Sequence, residues 1–335
     1  MTSRVSRREF LAGMGAAAAS PSFLLEMFAA PRPPRPTSTM KSPFRVSVIN
    51  DEISQDFGRA CEVAAREFGM GWIELRGMWD KNILNLDAKE IAEAQRILKQ
   101  YDLRVTDIAS PLFKVDWPGA PKSQFSPSGP QFGADFTFAQ QDDVLDRTIM
   151  LAKNFGTGRV RCFDFWRLDD PAPFRAAMNQ RLQSAAEKAA RSGVILVLEN
   201  EAACNTATAA EAAKVLEAVQ SPNLMLNWDP GNAAERGEIP YPDGYNLLPK
   251  HRIGHCHCKD VVKKPSGGYA WAAVGRGFID WTGQFRALMR DDYHYAVSLE
   301  THWRGAGTPE ESTRQSCAGM KKALQAAGAL EEEAA

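Results

Sequence analysis

The chain has 335 residues, 44% hydrophobic and 24% charged, the values of an ordinary globular protein rather than a disordered or fibrous one. Its 40 basic and 41 acidic residues give a formal net charge of -1, and no basic block offers nucleic acid a footprint. Beyond the N-terminal segment, no run reaches the roughly 20 apolar residues of a stable membrane span.

Residues 1–30 differ from the rest. Arg7 and Arg8 stand directly before Glu9, Phe10 and Leu11, and a small-residue apolar run follows. This resembles a twin-arginine signal, which implies the twin-arginine export machinery as a partner and the periplasm as destination. Cleavage is expected near Ala29 or Ala30. Residues 31–43, PRPPRPTSTMKSP, read as a Pro-rich linker. The six cysteines fall in separate elements or on one strand face, and they read as buried free thiols rather than a disulfide framework.

From residue 44 onward the text alternates strand and helix. FRVSVIND (44–51) is the first strand, and helical spacing follows over 55–68. GWIELRG (71–77) is the second strand, with Glu74 inside it. A helix over 89–101 precedes LRVTDIAS (103–110). A connection rich in Pro, Gly, Ser and Phe then runs from 111 to about 140, too long for a tight turn and readable as a lid over a catalytic face. After a helix at 142–154 comes RVRCFDFW (159–166), carrying Arg161, then a helix at 173–192. VILVLENE (194–201), a helix at 206–220 and NLMLNWDPGN (223–232) follow. A short helix at 245–250 leads to IGHCHCKD (253–260), a glycine-rich return at 266–277, a helix at 281–290, YAVSLETH (295–302) and a closing helix at 309–327. Eight strands alternating with helices predict an α/β fold, a (β/α)8 TIM barrel forming a single domain over 44–335. An open doubly wound sheet is the alternative, but no G-x-G-x-x-G follows the first strand.

The last four strands stop at reactive side chains: Glu199, Asp229, His257 and Glu300, which lie 30, 28 and 43 residues apart. Each gap fits one strand–helix unit, so each strand delivers one group to the same rim. Alternation puts His255 and His257 on one face and Cys256 and Cys258 on the other. Three converging carboxylates would repel one another, and a divalent cation removes that penalty. Three oxygens and one imidazole suit Mn²⁺, the first expectation, or Mg²⁺, Co²⁺ or Zn²⁺.

Glu199-Asn200, Asp229-Pro-Gly-Asn232, His257-x-Lys259-Asp260, Gly275-Arg-Gly277 with Ile279-Asp280, and Glu300 together resemble the xylose isomerase-like barrel superfamily, in its sugar phosphate isomerase/epimerase branch. The resemblance runs from about residue 44 to 328. It implies that Glu199, Asp229, His257 and Glu300 bind one divalent ion and that the two glutamates also move protons. The histidine before x-Lys-Asp is the ligand, so the role falls on His257 rather than His255. Asn232 stands where ketose 3-epimerases often carry histidine.

A bound ion would polarise the carbonyl of a chelated α-hydroxy-ketone, so that Glu199 and Glu300 can take and return the adjacent proton. The expected activity is a metal-dependent sugar isomerase or epimerase. With no phosphate cradle visible, the expected substrate is a non-phosphorylated sugar or polyol-derived ketone. The alternatives are a 3-keto-glycoside lyase or hydrolase working by elimination, and a non-catalytic sugar-binding barrel. A homo-oligomer is left open. Candidate substrate contacts are Glu74, Arg161, Asn232, His255, Lys259, Asp260, Arg276 and His302, although His255, deeper in its strand, reads first as a supporting or packing residue, and Arg276 and His302 read equally well as solvated side chains. Glu74 with Arg161, and Lys259 with Asp260, are also candidate ion pairs. Trp117, Phe125 and Phe132 are either sugar-stacking rings or anchors of the long loop, and His251 and His294 read as surface residues.

Overall fold

The computed structural model describes residues 40–129, 131 and 133–331, so residues 1–30, where an export signal is expected, the first nine residues of the expected linker, and Phe132 lie outside the described residues. Eight parallel strands form the barrel: β1 (Arg45–Val48), β2 (Trp72–Leu75), β3 (Arg104–Leu112), β4 (Arg159–Cys162), β5 (Ile195–Glu199), β6 (Leu224–Trp228), β7 (Ile253–Cys258) and β8 (Ala296–Leu299). The sheet runs β1, β8, β7, β6, β5, β4, β3, β2. A single parallel bridge between Ile49 and Glu74 brings its two edges together. The (β/α)8 expectation holds.

Local sequence accounts for the helix ends. Asp87 caps Ala88–Gln100 in a reciprocal capping box with Glu90, and Thr208 does the same with Glu211 for Ala209–Ala218. Thr308 and Pro309 start Pro309–Ala327, and Gly328 ends it in the left-handed region. This last helix lies against the return loop at Gly319, where a Cβ would stand 1.8 Å from the Val274 carbonyl oxygen. Apolar stripes of these helices, such as Ile91, Ala94, Ile97 and Leu98, cover the outside of the barrel.

Three elements depart from the sequence reading. The glycine-rich return is in part an antiparallel hairpin, Asp260–Lys263 with Tyr269–Ala272. The strand expected at 159–166 ends at Cys162, because Phe165 takes a positive φ and Phe163, Trp166 and Cys204 pack as a separate apolar cluster. The helix expected at 55–68 changes from α over Phe57–Glu62 to a π turn over Val63–Glu67. All six cysteines are buried and free, as expected.

The lumen of the barrel is polar. Ser47, Glu74, Asp107, Arg161, Asn227, His255, His257 and Ser298 are all buried. Strands β2 and β7 are not neighbours in the sheet, so contact between Glu74 and the two histidines has to cross the lumen.

Candidate metal and acid–base site

The ends of β5 to β8 converge as the spacing predicts. Glu199 closes β5, and His257 is the fifth residue of β7. Asp229 lies one residue past β6, because Pro230 cannot continue a ladder. Asp229 instead caps Pro230–Glu235, its Oδ1 accepting from the Asn232 amide at 2.9 Å. Glu300 follows β8 directly. Around Nδ1 of His257 stand Glu199 Oε1 and Asp229 Oδ2, each at 3.4 Å, and Glu300 Oε2 at 3.3 Å. One donor atom from each of the four lies within 4.8 Å of the other three.

The donor set fits a divalent cation. Glu199 Oε2 and Asp229 Oδ2 are buried, with Arg161 Nη1 3.2 Å from the first and Lys259 Nζ 2.8 Å from the second. Three buried carboxylates converging on one imidazole nitrogen are what an ion of oxygen-and-nitrogen preference binds. The protein residues able to hold it are Glu199, Asp229, His257 and Glu300.

Electrostatics keep both glutamates ionised. Burial pushes Glu199 up, but His257 and Arg161 outweigh it and bring the carboxyl to about 2. For Glu300 burial is again opposed, here by Lys259, His302 and His257, and its pKa falls well below the usual carboxylate range. Burial alone would deprotonate His257. Glu74, Glu199 and Glu300 around it reverse that, with Asp229 as hydrogen-bond partner, and hold it well above the ordinary imidazole value.

The other predicted residues divide. Asn232 donates to Glu199 Oε1 at 3.1 Å. Lys259 reaches Glu300 Oε2 at 2.7 Å as well as Asp229, and His302 Nε2 lies 3.2 Å from Glu300 Oε1. Arg161 meets Glu199 and donates to the Ala109 and Ser110 carbonyls. Four of the candidates make other contacts. Glu74 pairs not with Arg161 but with both histidines, its Oε2 3.1 Å from His255 Nε2 and its Oε1 3.1 Å from His257 Nε2, deep in the lumen rather than in a sugar pocket. His255 lies there with it, fully buried, in the supporting place expected for it. Asp260 does not pair with Lys259, whose ammonium is taken by Asp229 and Glu300. It accepts instead from the amides of Val261, Gly275 and Gly277 at 2.9 to 3.0 Å and fixes the return loop. Arg276 is exposed on that loop, and the structure shows no contact between it and the cluster. Trp117 is an anchor, edge-on to Phe165 at 4.7 Å and to Phe138 at 5.3 Å. Phe125 lies under Arg236 at 5.7 Å, and His251 and His294 are exposed.

Three contributors escape a reading of the sequence. Arg76, just after β2, donates to Glu300 Oε1 at 2.9 Å, to Glu52 Oε1 at 2.6 Å and to Asp51 Oδ1 at 2.9 Å. Lys114 pairs with Glu201 at 3.0 Å. Trp271, on the unexpected hairpin, stands edge-on to His302 at 4.8 Å with Lys259 Nζ 5.1 Å from its ring centre. A carboxylate partner for Arg76 from residue 300 cannot be read from local sequence. The clue for Glu74 was present: a charge inside a barrel strand needs a partner in the lumen.

With this geometry in hand, comparison with known proteins defines the class. The chain belongs to the xylose isomerase-like TIM barrel family, whose profile matches residues 63–323. No curated protein matches it significantly by sequence. Among solved structures it is similar to the IOLI protein with a bound zinc atom, at 14% identity and a TM-score of 0.65 over 87% of this chain and 100% of that one. It is also similar to the probable 3-DHS dehydratase AsbF from Bacillus anthracis, at 20% identity and a TM-score of 0.62, covering 83% and 98%. A third is D-allulose 3-epimerase from Methylomonas sp. in complex with D-allulose, at 17% identity and a TM-score of 0.61, covering 86% and 99%.

Proposed function

We propose that the protein is a metal-dependent enzyme that abstracts a proton beside a carbonyl, with sugar isomerisation or epimerisation as the reaction. One observation carries the proposal: Glu199, Asp229 and Glu300 converge on Nδ1 of His257 at 3.3 to 3.4 Å. Glu199, Asp229, His257 and Glu300 would hold one divalent ion, with Mn²⁺, Mg²⁺, Co²⁺ and Zn²⁺ all suited to the donors. When bound, such an ion polarises a ketone oxygen and acidifies the neighbouring C–H. Glu199 and Glu300 reach the centre from strands three apart in the sheet order, so they face a substrate from different sides. One takes the proton from carbon, and the other returns it. Asn232, Arg161, Lys259 and His302 hold the two carboxylates and the substrate oxygens near them.

Charge at the site argues for an uncharged sugar. Arg76, Arg161, Lys114, Lys259 and Arg304 are each already paired with a carboxylate. None is spare for a phosphate, which asks for uncommitted donors. Export to the periplasm, as the N-terminal segment implies, belongs to the same proposal, because it would bring the enzyme to non-phosphorylated sugars.

A second reading rests on the likeness to the probable dehydratase. If the carbon beyond the deprotonated one carries a leaving group, the same carboxylate pair drives elimination, and a 3-keto-glycoside would lose its C1 substituent. Incubating metal-loaded protein with ketoses and 3-keto-glucosides and identifying products by NMR separates the two. A new epimer or aldose supports isomerisation. An unsaturated ketone with released aglycone assigns the lyase, and no product from protein of proven metal content refutes both.

A further inference from the structure

The fully buried Glu74 has no part in binding or proton transfer as so far described, yet both of its oxygens are engaged. Oε1 is 3.1 Å from His257 Nε2, and Oε2 is 3.1 Å from His255 Nε2. The two rings stand edge-on at 87° with centres 5.3 Å apart, so one carboxylate spans both. Beyond His255, Asp107 Oδ1 lies 3.7 Å from its Nδ1. Asp107, His255, Glu74 and His257 thus form a line across the lumen from β3 through β7 and β2, and all four are fully buried.

We propose that Glu74 is a positioning residue that fixes the tautomer and ring orientation of His257. His257 must give up one proton to ligate a metal, and the neutral imidazole then has one N–H and one lone pair, with the hydrogen bond at one nitrogen deciding which is which. Glu74 accepts at Nε2, so the proton stays there and the lone pair is left on Nδ1. Nδ1 is the atom that Glu199, Asp229 and Glu300 surround. His255 occupies the second oxygen, which stops the Glu74 carboxylate from rotating away from His257. The two histidines of IGHCHC therefore act as a ligand and a brace for the carboxylate that aims it. Partners of this kind commonly contribute 10- to 100-fold to metal affinity.

The inference rests on the metal-centre reading, and zinc binding to the full chain distinguishes the failure of one from the failure of the other. Titration calorimetry of wild type with zinc is expected to give one equivalent, and Glu74→Gln to bind about 10- to 100-fold more weakly. Unchanged affinity in Glu74→Gln overturns the positioning role alone. A wild type that takes up no zinc overturns the metal centre and the role with it. Two equivalents in wild type, one of them lost in Glu74→Gln, would instead make Glu74, His255 and His257 a metal site in their own right. Should Glu74→Gln fail to fold, ¹⁵N NMR of histidine-labelled, zinc-loaded wild type is decisive. The expected spectrum has N–H at His257 Nε2 and metal at Nδ1, and the reverse assignment overturns the proposal.

Discussion

Arg76 Nη1 donates to Glu300 Oε1 at 2.9 Å while the same guanidinium holds Glu52 and Asp51, so one arginine ties the end of β8 to the loop after β1. That is the seam where the sheet has only the Ile49–Glu74 bridge. Burial opposes the charge on Arg76, but the three carboxylates raise its pKa well above the ordinary value. Arg76→Met strands Glu52 and Glu300 without this partner. Breaking a buried pair this way costs about 3 to 5 kcal/mol. Denaturant unfolding should show a loss of this order, with Arg76→Lys intermediate, and a midpoint equal to wild type would refute the role.

Glu199→Gln and Glu300→Gln preserve shape and remove a proton-accepting oxygen. Positioned acid–base groups contribute about 10² to 10⁴ in rate. Each variant should fold normally by circular dichroism and lose at least about 100-fold in kcat. Full turnover in Glu300→Gln with metal bound would remove Glu300 from the proton-transfer pair.

Gly231 gives the Asp229-Pro-Gly-Asn232 turn a physical explanation. A Cβ there would sit 2.5 Å from Lys259 Cγ, so the glycine leaves room for the lysine stem. Gly231→Ala must push Lys259 off Asp229 and Glu300. Overpacking of this kind costs about 1 to 3 kcal/mol. A thermal melt should register that loss together with a fall in kcat, and an unshifted melt with full activity would show that Lys259 moves aside freely.

Asp107 supplies a pH signature. Burial first, then Glu74, pushes its carboxyl up to about 6 from an ordinary 3.8. Its folded-state pKa is raised, so the native chain keeps the proton to higher pH than the unfolded chain. The penalty is absent below the ordinary value, grows as pH rises, and is complete above about 6. Unfolding free energy measured from pH 4 to 7 should therefore fall less steeply in Asp107→Asn than in wild type. Parallel curves would show that Asp107 ionises normally.

Much of this was legible because barrel strands mark their own ends. An apolar run that stops at a carboxylate is visible locally, and Glu199, Asp229 and Glu300 were found that way, with His257 placed by alternation and by resemblance. Pairings between distant segments were not legible. Nothing near Arg76 announces Glu300, and nothing near Glu74 announces two histidines on β7. The hairpin carrying Trp271 stayed hidden because Tyr269–Ala272 is half-buried throughout and shows no alternation. Its loop is held by Asp260 through backbone amides, a tertiary contact with no local pattern. The contacts of Asp260 are not legible for the same reason: its side chain serves the chain's own backbone.

The most direct test of the central claim is deuterium uptake from D₂O beside the carbonyl of a ketose or 3-keto-glucoside, followed by NMR with metal-loaded protein. Proton abstraction by the Glu199–Glu300 pair predicts exchange that stops with a chelator, returns when the metal is restored, and is lost in Asp229→Asn. Exchange that persists in the chelated protein and in Asp229→Asn would contradict it.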